Sequence, residues 1–279
     1  MKKFLLLLFC ILILTGCNST SEAEQPTANS SETVSAVEAS SAMKETISVS
    51  GQLPAAATTA APVPAASASD FNPGDVVPAD LLGSDLEQWF SSSAIDDAVL
   101  SRIAGVSYPE GCPVPLDQLR YIRVLHIGFD GETYIGELIV NQTIETPILE
   151  IFRQLYEGLY PIEKMLLIDT YGGDDETSMT DNNTSCFNYR TMAGSSKMSS
   201  HSQGLALDIN PLYNPYVKVK NGDILCQPAA AEVYIDRSGD FSYKIIREDL
   251  CYELFTAYGF QWGGDWTSVQ DYQHFEYPY

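Results

Sequence analysis

The sequence predicts an α+β domain in the part of the chain that begins near residue 75. Two amphipathic patterns, at 146–160 and 247–260, indicate helices. Asp130 and Gly131 stand between two alternating apolar segments, which indicates a β-hairpin. Because strand-like and helix-like segments mix without a regular strand–helix–strand alternation, the class is α+β rather than α/β.

The first residues resemble a bacterial lipoprotein signal. Residues 1–3 are positively charged, and 4–14 form an apolar run too short to cross a bilayer comfortably. The "LTGC" that follows resembles a lipobox, in which the cysteine is lipidated and becomes the first mature residue. We therefore expect a signal peptide over 1–16, a lipid anchor on Cys17 and an extracytoplasmic position on the bacterial membrane. A plain secretory signal with a chance cysteine is the alternative.

The next segment has the composition of a tether. Residues 18–72 consist mainly of Ser, Ala, Thr, Pro, Val and Glu, with almost no aromatic side chains. Such a segment buries too little apolar surface to offset its chain entropy, so we expect a disordered tether over 17–74. The formal net charge of the chain is −22, and it makes nucleic acid a poor candidate partner, because cationic patches supply that attraction.

Other elements are predicted from local patterns. Residues 86–105 indicate one or two short helices, and 163–171 indicate a buried strand. The polar residues 172–185 indicate a solvated loop, because they lack the acidic spacing of a calcium-binding hand. Gly259 is expected to stop the last helix, and 261–279 indicate turns and a final strand.

Four cysteines fall within the predicted domain. Outside the cytoplasm they could form two disulfides, in any of three pairings, or remain as buried free thiols. A cysteine zinc site is not expected, because no Cys-x-x-Cys pair occurs. The four residues are Cys112, Cys186, Cys226 and Cys251.

A candidate metal site follows from the stretch "SSHSQGLALDIN". Residues 204–210 alternate between an aliphatic face and a small, polar face with Asp208 at its centre. His201, in a turn that Gly204 permits, and the distant His274 are candidate partners for Asp208 in holding a cation. Two histidines and one carboxylate leave a position open on tetrahedral zinc, as in catalytic sites. The alternative is that each is a hydrogen-bonded structural group.

A carboxylate near such a site would be needed to move a proton to and from water. Asp271 is the best candidate, and Glu276 is the second. The third histidine, His126, is interpreted as an ordinary strand residue. Trp262 and Trp266 are interpreted as core residues rather than a substrate platform.

The segments "SSHSQGLALD" and "DYQHFE" are similar to the zinc-site signature of the D-alanyl-D-alanine metallopeptidases. That family includes zinc carboxypeptidases, vancomycin-resistance dipeptidases and L-alanyl-D-glutamate endopeptidases. The resemblance runs over about 136–279 and implies a zinc metallopeptidase domain there. Residues 75–135 are interpreted as an N-terminal extension or cap, and their role stays open between a cap, a small extra domain and part of the core. It also implies the small hedgehog/D,D-peptidase-like fold, with flanking helices and zinc on an antiparallel sheet.

The resemblance also assigns roles to individual residues. It implies one zinc ion per chain, held by His201, Asp208 and His274. Asp271 matches the catalytic carboxylate, and the endopeptidase branch has aspartate at this position where the dipeptidase branch has glutamate. Arg190 matches the substrate arginine, with a structural salt bridge as the alternative. A further match, Ser199, corresponds to a serine that supports the site.

The function expected from this resemblance is hydrolysis of peptidoglycan stem peptides by a membrane-tethered zinc peptidase. Carboxypeptidase and endopeptidase activity both remain open, because loops around the cleft decide which bond is cut. One alternative is a catalytically inactive zinc lipoprotein that binds wall peptides or a partner protein. Another is a peptidase that acts on ordinary secreted peptides.

Overall fold

The structure is a computed structural model that describes residues 66–191 and 197–278. The predicted signal peptide, the lipid anchor on Cys17 and the tether up to residue 65 lie outside these residues. Within the described ranges, no helix has both the length and the apolar character needed to cross a membrane.

The described residues combine short helices with short strands, apart from several turns of 3-10 helix. The α-helices are α1 (Asp97–Ile103), α2 (Glu145–Glu157), α3 (Asp175–Thr180) and α4 (Leu250–Ala257). The first six strands are β1 (Ser91–Ala94), β2 (Leu119–Ile127), β3 (Thr133–Asn141), β4 (Ala206–Asp208), β5 (Tyr216–Lys220) and β6 (Asp223–Gln227). The last three are β7 (Gln261–Trp262), β8 (Gln270–Asp271) and β9 (His274–Glu276).

These strands form three small antiparallel sheets, which confirms the predicted α+β class. The strand orders are β1-β2-β3, β4-β9-β7 and β6-β5-β8. The predicted hairpin is the pair β2–β3, whose ladder runs from Leu119 opposite Asn141 to Ile127 opposite Thr133. The last two sheets carry the residues of the candidate site.

The main core lies between the β2–β3 hairpin and the two longest helices. As the apolar spacing predicted, α2 buries Ile148, Ile151, Phe152 and Leu155. Phe152 meets Phe255 of α4 edge to face, at 6.4 Å between ring centroids. Phe255 in turn stacks on Phe275 of β9, at 4.5 Å. This chain of rings supports the strand on which His274 lies.

The domain boundary predicted between residues 135 and 136 is not seen. Position 136 lies within β3, and the β2–β3 ladder joins the residues on its two sides. Ile122 and Val124 of β2 belong to the same buried core as Leu207 and Phe275, which flank the candidate metal residues. Residues 75–135 are therefore part of the domain's own core rather than a separate cap.

The end of the predicted tether also packs on the domain. Ala68 is buried, and Phe71 contacts Trp89 at 5.7 Å between ring centroids. Arg123 donates a hydrogen bond from Nη2 to each of the carbonyl oxygens of Ala68 and Phe71. The overall composition of 17–74 did not predict this packing, because the few apolar residues that make it lie at the end of the segment.

Two predicted elements differ from the structure. Residues 86–105 contain β1 between a 3-10 helix and α1, so a strand interrupts the predicted helices. The strand predicted at 163–171 does not form. Instead, Leu166 donates its backbone N–H to the side chain of Asn183 and accepts from the same amide. A side chain thus takes the place of a neighbouring strand.

The loop predicted at 172–185 is neither fully solvated nor irregular. It contains α3, which Asp174 caps by accepting a hydrogen bond from the backbone of Thr177. Asn182, Asn183 and Thr184 are buried beyond that helix. All four cysteines within the described residues are free, and Cys186 and Cys251 are buried.

His126 is a buried member of β2, as predicted, and it is held in the neutral form. Its Nδ1 lies 2.8 Å from the carbonyl oxygen of Ile162 and donates to it, and its ring stacks on Tyr134. Burial lowers the pKa of His126 to about 4, against a weaker opposing effect of the Ile162 hydrogen bond. A histidine whose pKa is lower in the folded chain stabilises the fold above its unfolded pKa and loses that contribution as the pH falls.

Acid should therefore destabilise the natural chain more than a His126→Gln variant, whose amide is uncharged. Between about pH 7 and about pH 4.5 we expect the natural chain to lose ~2 kcal/mol more free energy of unfolding. Urea unfolding at the two pH values measures the difference. Equal acid sensitivity of the two proteins would show that His126 is not held neutral by the fold.

Candidate metal centre

A short 3-10 helix positions the first candidate ligand. The helix Ser200–Gln203 begins after Ser199, whose hydroxyl accepts a hydrogen bond from the backbone N–H of His201. It ends at Gly204, which has a left-handed φ of 67°. A Cβ at Gly204 would lie 2.8 Å from the backbone nitrogen of Asn141, so this position requires glycine for space as well as for conformation. His201 is thereby fixed against the end of β3.

The β4–β9 ladder brings the other two candidates together. Asp208 stands directly opposite His274 in this antiparallel pair. Side chains of directly opposed residues share one face of the sheet, and the carboxylate Oδ1 of Asp208 lies 3.0 Å from Nδ1 of His274. The other carboxylate oxygen, Oδ2, lies 3.3 Å from Nε2 of His201.

One potential ligand atom from each of His201, Asp208 and His274 falls within 4.8 Å of the others. Two imidazole nitrogens and a carboxylate oxygen are the donors that zinc takes in catalytic sites, where a fourth position stays open to water or substrate. All three residues are buried. The cluster therefore has the donor types, the convergence and the enclosure that a catalytic metal site needs.

The hydrogen bonds around the two rings strengthen this fit. Nδ1 of His201 lies 2.6 Å from the carbonyl oxygen of Cys186, which accepts only from a protonated nitrogen. Nε2 of His274 lies 3.4 Å from the Glu276 carboxylate. With protons on these outer nitrogens, the two inner nitrogens, 3.2 Å apart, are left with free lone pairs. That is the protonation pattern that two histidine ligands require.

The charges in the cluster favour a cation. Burial opposes ionisation of Asp208, but His201 and His274 outweigh it and hold the pKa of Asp208 well below its usual range. Burial also disfavours a charged His274, yet the Asp208 and Glu276 carboxylates raise its pKa to about 10. A positive charge beside the Asp208 carboxylate is thus favoured, and a bound metal ion would supply it.

Asp271 lies beside the cluster with unused hydrogen-bonding capacity. Its Oδ1 atom is buried and has no hydrogen-bond partner among the described residues. Loss of solvation raises the pKa of Asp271 to about 6, although His274 opposes the shift. Glu276 differs, because its Oε2 accepts from Ser200 at 2.6 Å as well as facing His274. Of the two predicted carboxylates, Asp271 is the one that is free to exchange a proton.

Arg190 lines the same cleft and is ion-paired. Its Nε contacts a carboxylate oxygen of Asp175, at the start of α3. The backbone of Arg190 is bound to Ser202 of the His201 helix, donating to Oγ at 3.0 Å and accepting from it at 2.7 Å. The salt bridge expected as the alternative for Arg190 is therefore present, and the residue also lines the cleft in which a substrate would lie.

The cleft over the cluster has a volume of 290 Å³ and includes residues that sequence reasoning missed. Trp266 lies there, with its ring 5.4 Å from that of His274, and so is not a core residue as predicted. Trp262, by contrast, is buried. The β5–β6 hairpin forms one wall, with Tyr216, Lys218, Leu225 and Gln227 lining the cleft. The sequence does carry a signal for this hairpin, which sequence reasoning missed. Asn221 and Gly222 stand between two alternating segments, and both adopt the positive φ that a two-residue hairpin turn requires.

Comparison with known protein families gives a match over part of the chain. Residues 193–277 match the model of a protein family described as D-alanyl-D-alanine carboxypeptidase. This range contains His201, Asp208, Asp271 and His274, whereas Arg190 precedes it. No curated protein and no solved structure matches the chain.

We expect the full chain to bind one zinc ion through the three clustered residues. Replacing His274 with alanine removes a nitrogen donor, so the zinc affinity should fall by roughly 100-fold or more. Competition with a chromogenic chelator measures the affinity. The matched control is His126→Gln, which alters the histidine of β2 and should leave zinc binding unchanged. Equal affinity of His274→Ala and the natural chain would exclude the cluster as the metal site.

Proposed function

We propose that the protein is a zinc-dependent peptidase of peptidoglycan stem peptides, because residues 193–277 match the model of the D-alanyl-D-alanine carboxypeptidase family. The observation that carries the proposal is the buried His201–Asp208–His274 cluster with the unpartnered Asp271 oxygen beside it. A site that only bound peptide would not need a free proton acceptor next to the three candidate metal ligands.

His201, Asp208 and His274 would hold the zinc ion. When bound, zinc would acidify a water molecule and polarise the carbonyl of the peptide bond. The outer hydrogen bonds to the Cys186 carbonyl and to Glu276 keep both rings in the orientation that this requires. Ser199 contributes by fixing the backbone of His201.

Asp271 is the proposed general base and general acid. Its free Oδ1 would accept a proton from the attacking water as the water oxygen bonds to the carbonyl carbon. The same proton would pass to the amine nitrogen as the carbon–nitrogen bond breaks. Glu276 is proposed to position His274 instead, because its Oε2 already accepts from Ser200 and faces His274.

Arg190 is proposed to stabilise the oxygen of the cleaved bond. Negative charge develops on that oxygen during attack, and a preorganised guanidinium in a cleft stabilises it. The ion pair with Asp175 engages Nε, and Nη1 donates to the Thr191 carbonyl at 3.5 Å, so both contacts help to fix the guanidinium beside the cleft. Asp175 would thus orient the Arg190 guanidinium and leave part of its hydrogen-bonding capacity for the substrate.

Attachment and fold complete the proposal. The "LTGC" motif supports a lipid on Cys17 that would hold the domain on the outer face of the bacterial membrane, close to the cell wall. The antiparallel β4-β9-β7 sheet, which bears Asp208 and His274, supports a hedgehog/D,D-peptidase-like fold. The choice between carboxypeptidase and endopeptidase activity is left to the substrate test.

The test is hydrolysis of defined stem peptides by the zinc-loaded full chain, read by mass spectrometry with a chelated control. Release of a terminal D-alanine would identify a carboxypeptidase, and cleavage between L-alanine and D-glutamate an endopeptidase. The absence of any chelator-sensitive cleavage by the zinc-loaded chain would reject the peptidase and favour a binding protein.

The Asp271→Asn variant should retain zinc and lose activity. Removing a general acid–base residue lowers kcat by about 100- to 10,000-fold, and we expect a loss of this size. Asp265→Asn is the matched control, because Asp265 is exposed nearby and pairs with Arg247. It should stay within about twofold of the natural kcat. A similar kcat in Asp271→Asn and Asp265→Asn would remove Asp271 from the mechanism.

A further inference from the structure

The β5–β6 hairpin turns one of its two faces into the cleft. In its register Tyr216 lies opposite Gln227, and Lys218 lies opposite Leu225. Residues opposite one another, and residues two apart on a strand, share a face of the sheet. All four line the cleft, so this face is a wall of the candidate active site.

One end of this wall, at Tyr216, pairs with β8, the strand that bears the proposed catalytic residue Asp271. Tyr216 also lies opposite Asp271 in the β5–β8 pair. Lys218 is two residues farther along β5, a distance of about 7 Å along the strand. An extended peptide advances by a similar distance over two residues. A group of the substrate next to the cleaved bond would therefore lie within reach of the lysine side chain.

The polar side chains of this wall have no protein partners. Within the described residues, neither the Tyr216 hydroxyl, the Lys218 ammonium nor the Gln227 amide makes a hydrogen bond or an ion pair. Arg190, which also lines the cleft, differs because it is paired with Asp175. The hairpin wall therefore offers donors that the described residues do not use.

Charge also singles out Lys218. Asp175, Asp208, Asp271 and Glu276 all line the cleft, and only the first of these acids faces the Arg190 guanidinium. An anionic substrate would be repelled unless a cation receives it. Within the described lining of the cleft, Lys218 is the cation whose charge no carboxylate of the protein neutralises.

We propose that the hairpin wall is an anion subsite in which Lys218 binds a carboxylate of the substrate residue that follows the cleaved bond. Tyr216 and Gln227 add neutral hydrogen-bond donors beside it. This inference rests on the proposed peptidase function and names the part of the substrate that the site selects. The carboxylate is either the C-terminal one of a terminal D-alanine or the free one of a glutamate residue.

The test compares peptides that carry or lack the carboxylate. Each stem peptide is prepared as a free acid, with the C-terminal carboxylate amidated, and with the glutamate carboxylate amidated. In the zinc-loaded full chain, Lys218→Gln should raise KM for the free acid by about 10- to 100-fold, as expected for a hydrogen-bonded charge pair, with kcat little changed. The amidated form that removes the bound carboxylate should be insensitive to Lys218→Gln, which identifies the source of the carboxylate.

Lys220→Gln is the matched control. Lys220 lies on the same strand and the same face, but it does not line the cleft. Its replacement removes an equal charge from the hairpin and should leave KM unchanged. Equal effects of the two substitutions, or equal losses for the acid and both amides, would overturn the subsite.

Peptide binding separates this inference from the proposed function. Fluorescence anisotropy of labelled peptides on the zinc-loaded Asp271→Asn chain reports affinity without turnover. A preference for the free acid that disappears in Lys218→Gln but persists in Lys220→Gln supports the subsite, even if the natural chain cleaves no stem peptide. Absence of any preference for the acid overturns the subsite, even if the natural chain is an active peptidase.

Discussion

Asp208 and His274 face each other across the β4–β9 ladder, and the rest of the site is arranged around this pair. Both residues are buried, so neither side chain is solvated in the ordinary way. A buried carboxylate is tolerated only where hydrogen bonds or opposite charge replace the lost water. His201 supplies the second partner from a separate 3-10 helix. The three groups hold their positions because each partly compensates for the burial of the others, and a bound cation would complete that compensation.

The surroundings of this pair are layered. Phe275 alternates with His274 and Glu276 along β9, so the strand presents a ring to the core and two polar groups to the cleft. The outer hydrogen bonds of the two histidines are made by a backbone carbonyl on one side and by a carboxylate on the other. A backbone acceptor moves only with the chain, whereas the Glu276 side chain rotates. The orientation of His201 is therefore fixed more rigidly than that of His274.

Several features could be predicted from the sequence because they rest on local periodicity or local spacing. The β2–β3 hairpin, α2 and the end of the last helix near Gly259 follow from such patterns, and the structure confirms them. The proximity of His201 and Asp208 follows from their separation of seven residues, and the structure brings both to His274. Features set by distant partners were missed. Residues 163–171 read as a strand, but the Asn183 side chain satisfies the backbone that a strand would have paired.

The sequence left the role of residues 75–135 open for the same reason. Their predicted separation from the metal domain conflicted with the predicted hairpin, whose second strand crosses position 136. The β5–β6 register is set locally by the Asn221-Gly222 turn, whose signal was overlooked. The β5–β8 register, which places the hairpin wall against the site, is specified by no short motif. Prediction from sequence thus succeeded where one segment carries its own signal. It failed where a residue acquires its role from a partner many positions away.

The contacts of the His201 turn bear on how such a site could be transferred between proteins. Residues 193–277 contain all three clustered residues and also Asp271. Besides Ser199, the groups that hold His201 in place lie upstream of this range. They are the Cys186 carbonyl, the Asn188 backbone N–H that bonds the His201 carbonyl, and the Asn141 backbone N–H that bonds the Gly204 carbonyl. A graft of 193–277 into an unrelated host would carry the chemical groups without the frame that aligns them. The part of the chain that must be transferred with the site is therefore larger than residues 193–277.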